Sequence, residues 1–557
     1  MEHDSDKNSS VVRRSSFGSW LLSWLDANIF ELGREIRLSY LPPLMIYLAA
    51  GISGLTGIVS TFFVKDYLGL SAEFLAMLGF WAGLVWSVKM PLGHLVDLLW
   101  RWKTGFVFLG AGLISVSLGI MLGLLGSPEA MQQVMPLESW YVISVLLTPV
   151  GYVLQDVVAD AMTVEAVPLL DDDGLAFDDQ HIRLMHTTMQ TLGRVAIIGG
   201  LIAVSLVNLI QFADIRNMGE ADKIEAYLNI YQMALSIPVV SVLGVVLAGV
   251  LRRRQVKQWL SKGVESHRIE RVLSSQEPPP EPNWWILGGS AVYVLFTMVM
   301  GIGEIPYGQE LVLIGSLSII GFMISRLVAV LTPHARQTLV GTAVIIFIYR
   351  AIPGPGEGAA WFQIDELGFD QRFLSLLALI ANCLTLFGMF LFRRFMAERS
   401  IAYVIVFLTI AGTVLSLPMV GLYYGIQDWT APLTNGIVDA RFIAIINTAL
   451  ESPLGQIAMI PMLVWIAQSA PEKLKATFFA VMASFTNLAL SVSQLGTQYL
   501  NQIFTITREV QGDTAGTVAV PADYSELGVL LIIVVGIGLV MPLLAVSVVR
   551  LWRMPSS

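Results

Sequence analysis

Uncharged apolar runs longer than 20 residues leave a chain few ways to fold in water. Leu41–Val64 and Leu527–Val549 contain no Asp, Glu, Lys or Arg. Each is long enough to cross a hydrocarbon core of roughly 30 Å as a helix. Soluble domains break such runs with polar residues every few positions. Here charged residues make up only 13% of the 557 positions, against about 25% in a soluble domain. The chain therefore reads as a polytopic all-α membrane protein.

Fourteen candidate spans follow: 41–64, 74–96, 104–126, 138–163, 186–209, 229–251, 284–304, 310–331, 337–353, 372–395, 400–423, 441–467, 474–502 and 527–550. The distribution of Lys and Arg tests this count. With the N-terminus inside, the inner segments hold Arg13, Arg14, Arg34, Arg37, Arg101, Lys103, the 252–271 cluster, Arg336, Arg393, Arg394, Lys473, Lys475, Arg550 and Arg553. The outer loops hold only Lys65, Arg216, Lys223, Arg350, Arg372, Arg441 and Arg508. That bias is what the positive-inside rule requires. It places both termini in the cytoplasm and demands an even number of spans; fourteen and twelve both fit.

A weak repeat divides the chain. Thr148-Pro149-Val150-Gly151 leads to Pro168 much as Ser452-Pro453-Leu454-Gly455 leads to Pro471. Two duplicated six-helix halves leave such a trace. The expected organisation is a tail at 1–37, a first half at 38–251, a cytoplasmic linker at 252–283, an inserted helix pair at 284–331 and a second half at 332–557. In the tail, Phe17, Trp20, Leu21, Trp24 and Leu25 recur at helical spacing, which fits a helix lying in the membrane interface or packed on the bundle. Arg13-Arg14 resembles a twin-arginine export signal only faintly, since no small-residue cleavage site follows. The single cysteine, Cys383, excludes a disulfide and is expected in the core.

The charges inside the spans are few. A charged side chain at mid-bilayer costs roughly 2.5–3.5 kcal/mol, so each needs a partner, a cavity or a proton. Asp156 and Asp160 lie four apart on one face of the fourth span, with Gln155 beside Asp156. They form either a proton-accepting or substrate-binding face or a structural ion pair. Lys89 in the second span and Arg194 in the fifth are the cations available to them. Gln190, one turn before Arg194, and Gln456 in the second half complete the set of candidate substrate and coupling residues. No metal or cofactor site is expected. The Asp171-Asp172-Asp173 and Asp178-Asp179 run is read as a solvated loop.

Two resemblances follow from motifs. The loop after the second span, with Gly93, Asp97, Arg101 and Lys103, resembles the cytoplasmic signature of the major facilitator superfamily. Trp86-Ser87-Val88-Lys89-Met90-Pro91-Leu92-Gly93 is similar to the Lys-Pro-containing second helix of the folate–biopterin transporter family. Gly455-Gln456-Ile457-Ala458-Met459-Ile460-Pro461 resembles its late Gly-Gln element. Ala351-Ile352-Pro353, Glu366-Leu367-Gly368-Phe369 and the stretch from Ala470-Pro471 to Asn487 also resemble that family, although Lys475 stands where it has an acid. Gln155-Asp156-Val157-Val158-Ala159-Asp160-Ala161 is similar to the related muropeptide and acetyl-CoA transporter groups.

The resemblance implies a major-facilitator fold and a secondary carrier of a pteridine- or folate-like organic anion, working by alternating access. Symport with protons, residence in the plasma membrane and no nucleic-acid partner complete the expectation. A muropeptide- or sugar-type carrier, or a non-transporting assembly or pigment-handling protein on the same fold, is the alternative. There is no phosphate-binding Gly-x-x-x-x-Gly-Lys-Ser/Thr loop, His-Glu-x-x-His pair or Gly-x-Ser-x-Gly elbow. An enzyme is not expected.

Overall fold

The computed structural model describes residues 36–87, 89–99, 102–168, 177–261, 284–302, 305–328, 332–392, 399–455, 475–508 and 518–552, with the single positions 395, 457, 510, 511 and 554. Among these residues the chain is helical, apart from two short antiparallel strands, β1 (Val510–Gln511) and β2 (Val518–Val520). The interfacial helix expected before residue 36 lies outside the described residues.

The first span is α1 (Leu41–Ile52), a 3-10 stretch (Ser53–Thr56) and α2 (Gly57–Phe63). Pro42 and Pro43 stand in the first turn of α1, where a missing N–H costs nothing. Then come α3 (Ala72–Ser87), α4 (Lys89–Leu98), α5 (Lys103–Gly126), the short α6 (Pro128–Gln132), α7 (Leu137–Ala166), α8 (Asp179–Gln211), α9 (Glu220–Ala234) and α10 (Ser236–Ser261). The helix pair α11 (Trp284–Ile302) and α12 (Gly308–Val328) follows. The C-terminal series is α13 (Pro333–Arg350), α14 (Glu357–Asp365), α15 (Gln371–Leu391), α16 (Ile401–Tyr423), α17 (Ile426–Leu433), α18 (Ala440–Glu451), α19 (Lys475–Ile503) and α20 (Leu527–Leu551).

A helix falls on every one of the fourteen sequence segments, the 441–467 segment being described through Gly455 and at Ile457. Among the described residues, nine helical stretches are long and apolar enough to cross a membrane. The segment read as a linker, 252–283, begins as helix. Helix α10 continues to Ser261, because Arg252, Arg253, Arg254, Gln255 and Lys257 are good helix formers and sustain the turn beyond the apolar run. Cys383 also departs from expectation. It is exposed rather than packed in the core.

N-terminal and C-terminal helices meet along two seams, α3 with α19 and α8 with α15. Within the N-terminal set, α1 crosses α8 at Gly51 and Gly200. A Cβ on Gly51 would lie 2.2 Å from the Ile197 carbonyl oxygen, so only glycine lets the two backbones come this close. The pair α11–α12 packs against both α4 and α19. Tyr293 and Ser87 share a hydrogen bond on one side, and Tyr499 bonds Glu310 on the other. Arg326 lies over the rings of Trp285 and Phe322, 5.4 and 5.3 Å from their centroids, consistent with a snorkelling stem.

Candidate functional site

The charges of the N-terminal helices converge. Lys89 opens α4, and Asp156 and Asp160 stand one turn apart on α7. Lys89 Nζ lies 2.6 Å from Asp156 Oδ2 and 2.7 Å from Asp160 Oδ2. One ammonium therefore serves two carboxylates. Removing these ions from water is costly, and the short contacts offset that cost only while all three stay together. Asp160 is the most open of the three, its side chain 39% exposed against 16% for Lys89 and 22% for Asp156.

Tyr47 on α1, which sequence reading passed over, completes the group. Its hydroxyl donates to Asp160 Oδ1 at 2.7 Å. The ring can lie there because position 193 is glycine; a Cβ would come within 2.9 Å of the ring edge. Arg194 is half-buried and close enough to Asp156 and Tyr47 to act on them electrostatically. Among the described residues it has no ion-pair partner, so it does not take the place beside Asp160 that the sequence offered it.

The other candidates separate. Gln155 faces away from the cluster and donates to the Val107 carbonyl on α5 at 3.3 Å. Gln190 donates to Thr163 Oγ1 at 3.2 Å, and Thr163 donates to the Asp160 carbonyl at 2.6 Å, so Gln190 touches the site through one intermediary. Gln456 and Arg101 lie outside the described residues, as does the side chain of Asp97. Gly93 is half-buried in α4. Lys103 forms an ion pair with Glu165, which ties the start of α5 to the end of α7. Asn487 donates to the Trp86 carbonyl at 3.3 Å, a link between helices.

At the opposite end of the bundle, a second polar group joins the N-terminal helices to the C-terminal ones. Lys65 Nζ is 2.6 Å from Asp365 Oδ1, and Tyr524 donates to Asp365 at 2.5 Å. Gln371 donates to the Tyr227 hydroxyl at 2.7 Å and Arg372 to the Ala213 carbonyl at 3.0 Å. Arg508 is 4% exposed, lies over the Trp361 ring and donates to the Leu70 carbonyl at 2.5 Å. Arg216 and Arg441 share Asp370, which also caps α15 through the Phe373 amide. These links draw the two sets of helices together at the Lys65 end. Sequence gave no sign of them, because partners such as Lys65 and Asp365 are remote along the chain.

Burial pushes the Asp370 carboxyl up, but the Phe373 amide and the Arg216 and Arg441 guanidinium groups outweigh it and hold the group below the usual carboxylate range. A folded-state pKa below the unfolded one gives stability that is present above about pH 4 and is lost as pH falls through the folded value. The melting temperature of the purified protein is expected to fall between about pH 5 and pH 3, and to fall less in Asp370→Asn. Equal falls in both proteins would contradict this assignment.

The fold and the charges define a multi-pass membrane protein of the major-facilitator type. The architecture matches that of a POT family transporter solved with 5-aminolevulinic acid, at a TM-score of 0.56 and 12% identity over 92% of this chain and 96% of that one. It also matches a peptide transporter POT solved with sulfate, at a TM-score of 0.54 and 15% identity over 93% and 96%. These likenesses establish the fold alone. A sequence profile of the BT1 family matches residues 226–552, more than half of the chain, and the chain belongs to that family. The folate-biopterin transporter of Synechocystis sp. is 26% identical over 196 residues, 34% of this chain and 37% of that protein. The putative folate transporter 2 of Plasmodium berghei is 24% identical over 167 residues, 29% of this chain and 34% of that protein. The matched regions thus span little more than a third of either relative. These relatives and structural neighbours are transporters rather than enzymes.

Proposed function

We propose that this BT1-family chain is a secondary carrier that moves a pteridine- or folate-like organic anion across a membrane by alternating access, coupled to protons at Lys89, Asp156 and Asp160. The observation that carries this reading is the charge count of the cluster. One lysine between two carboxylates leaves one negative charge over among the three paired groups, with Arg194 acting on Asp156 but forming no ion pair among the described residues. A proton on either acid balances it and loosens that acid's hold on Lys89. Asp160, the more exposed, is the acid that exchanges the proton, and Tyr47 holds its orientation. Arg194, without an ion-pair partner among the described residues, supplies a guanidinium for an anionic group of the solute.

The halves rock about this site. The Lys65–Asp365 and Arg216–Asp370 pairs would hold the Lys65 end closed in one state of that cycle. On the positive-inside reading that end faces outward, and the Lys103 and Arg252–Arg254 end lies in the cytoplasm with both termini. The plasma membrane is the expected location.

The test is uptake of labelled folate or biopterin into proteoliposomes with and without an imposed pH gradient. The gradient is expected to raise the uptake rate of the native protein. Asp156→Asn combined with Asp160→Asn is expected to remove that stimulation. Stimulation that persists in the double variant would sink the coupling mechanism. Competition by muropeptides or sugars, and none by pteridines, would transfer the chain to a different solute class.

A further inference from the structure

A cavity of about 420 Å³ lies within the N-terminal helices, one helical turn along from the ion cluster on two elements at once. Trp86 precedes Lys89 by three residues and Tyr152 precedes Asp156 by four, and both line the cavity. The volume lies in the range of small-molecule sites, roughly 300–1,000 Å³. The lining differs in kind from the cluster, for among the described residues it carries no charged side chain. Hydroxyl groups and aromatic faces dominate instead: Trp86, Tyr152 and Tyr231, with Ser53, Thr56 and Ser60.

Two breaks in helix geometry face this cavity. The first span leaves the α-helix at Ser53–Thr56, where it runs as 3-10. Helix α7 contains Pro149 in its interior. Proline has no N–H, so the Val145 carbonyl one turn earlier loses its α-helical partner. Val145 and Pro149 are both in the cavity wall. Irregular backbone at membrane depth is tolerated where it lines a cavity, and interrupted helices mark binding sites in carriers. The hydroxyls lie in groups: Tyr152 beside Ser53, and Tyr231 beside Ser60 and Thr56. A hydroxyl both donates and accepts, so such a wall can satisfy a ring edge that carries both kinds of group without bringing in a charge.

We infer that this cavity is a binding subsite for an uncharged, planar heteroaromatic ring, held between aromatic faces and hydrogen-bonded at its edge by Ser53, Thr56, Ser60, the Tyr152 hydroxyl and the Val145 carbonyl. Arg194, the cation assigned to the solute's anionic group, takes the anionic part of the same molecule. The assignment rests on reading the chain as a carrier of a pteridine-like anion, and it divides recognition of that solute between a neutral and an ionic region.

Ligand-induced thermal shifts of the full-length protein in detergent separate the two regions, since a ligand of the native state raises its apparent stability by mass action. Three probes are used: pterin as the ring alone, 4-aminobenzoyl-glutamate as the anionic tail alone, and folate as both. Thr56→Val with Ser60→Ala keeps the shape of the wall and removes two hydroxyls; Tyr152→Phe does the same at a third position. Each variant is compared at matched elution profile and unliganded melting temperature. Affinity for pterin and folate is expected to fall about tenfold or more in both variants, the scale of a lost hydrogen bond to a bound polar group, while affinity for the tail is unchanged. Undiminished pterin affinity in both variants overturns the subsite, and so does native protein that binds the tail but no pterin. Pterin binding that depends on the hydroxyls, in a protein that shows no proton-driven folate uptake, upholds the subsite and refutes the transport reading instead.

Discussion

Lys89→Met is expected to abolish gradient-driven uptake and to destabilise the protein more than any other single charge removal. The substitution keeps the length and apolar stem of the side chain and deletes the one cation that Asp156 and Asp160 share at 2.6 and 2.7 Å. Two carboxylates then face each other with no cation between them. Breaking a buried ion pair from one side costs roughly 3–5 kcal/mol, and the lower end applies here because Asp160 reaches solvent. The variant Lys89→Met, Asp156→Asn, Asp160→Asn removes all three charges together. It is expected to recover most of the lost melting temperature and none of the proton coupling. A Lys89→Met protein as stable as the native one would show that the cluster is not held by this contact.

Gly51→Val is expected to give the second large effect, through packing rather than charge. The added Cβ would stand 2.2 Å from the Ile197 carbonyl oxygen and 3.0 Å from the Gly200 Cα, both backbone atoms. No rotamer relieves such a contact, so α1 and α8 must separate. Overpacking of this kind typically costs about 1–3 kcal/mol, and the upper part of that range fits a clash between backbones. The consequence reaches the site, because Tyr47 lies one turn before Gly51 and its ring is seated against Gly193 of α8. Loss of that seat frees the Tyr47 hydroxyl from Asp160. Gly199→Val is the control: a Cβ there meets nothing within 4 Å. Circular dichroism melts should show a drop for Gly51→Val and almost none for Gly199→Val. Equal melts would contradict the close crossing.

The legible part of this protein was the part written in local chemistry. Charge is so costly inside a membrane that Lys89, Asp156 and Asp160 stood out against their apolar neighbours, and the four-residue spacing put both acids on one face. The helices followed from run length for the same reason. Gln155 misled because adjacency in sequence is not adjacency on a helix. Each residue turns the chain by about 100°, so the neighbour of Asp156 points toward α5. Tyr47 was illegible because a tyrosine in an apolar helix is ordinarily core or interface, and only the packing of α1 on Gly193 brings it to Asp160. Lys65, Asp365 and Tyr524 were illegible for a different reason: their meeting depends on how the two sets of helices close on each other. Helix α10 outran its apolar segment because helix propensity does not end where hydropathy does.

The central claim is that Asp160, in the cluster with Lys89 and Asp156, exchanges the proton that accompanies the solute. It is tested most directly by loading proteoliposomes with a pH-sensitive dye and adding folate or biopterin outside, with no gradient imposed. The native protein is expected to acidify the lumen as solute enters, and the Asp156→Asn, Asp160→Asn protein to take up solute, if at all, without acidification. Solute-dependent acidification of equal size in both proteins would contradict the account.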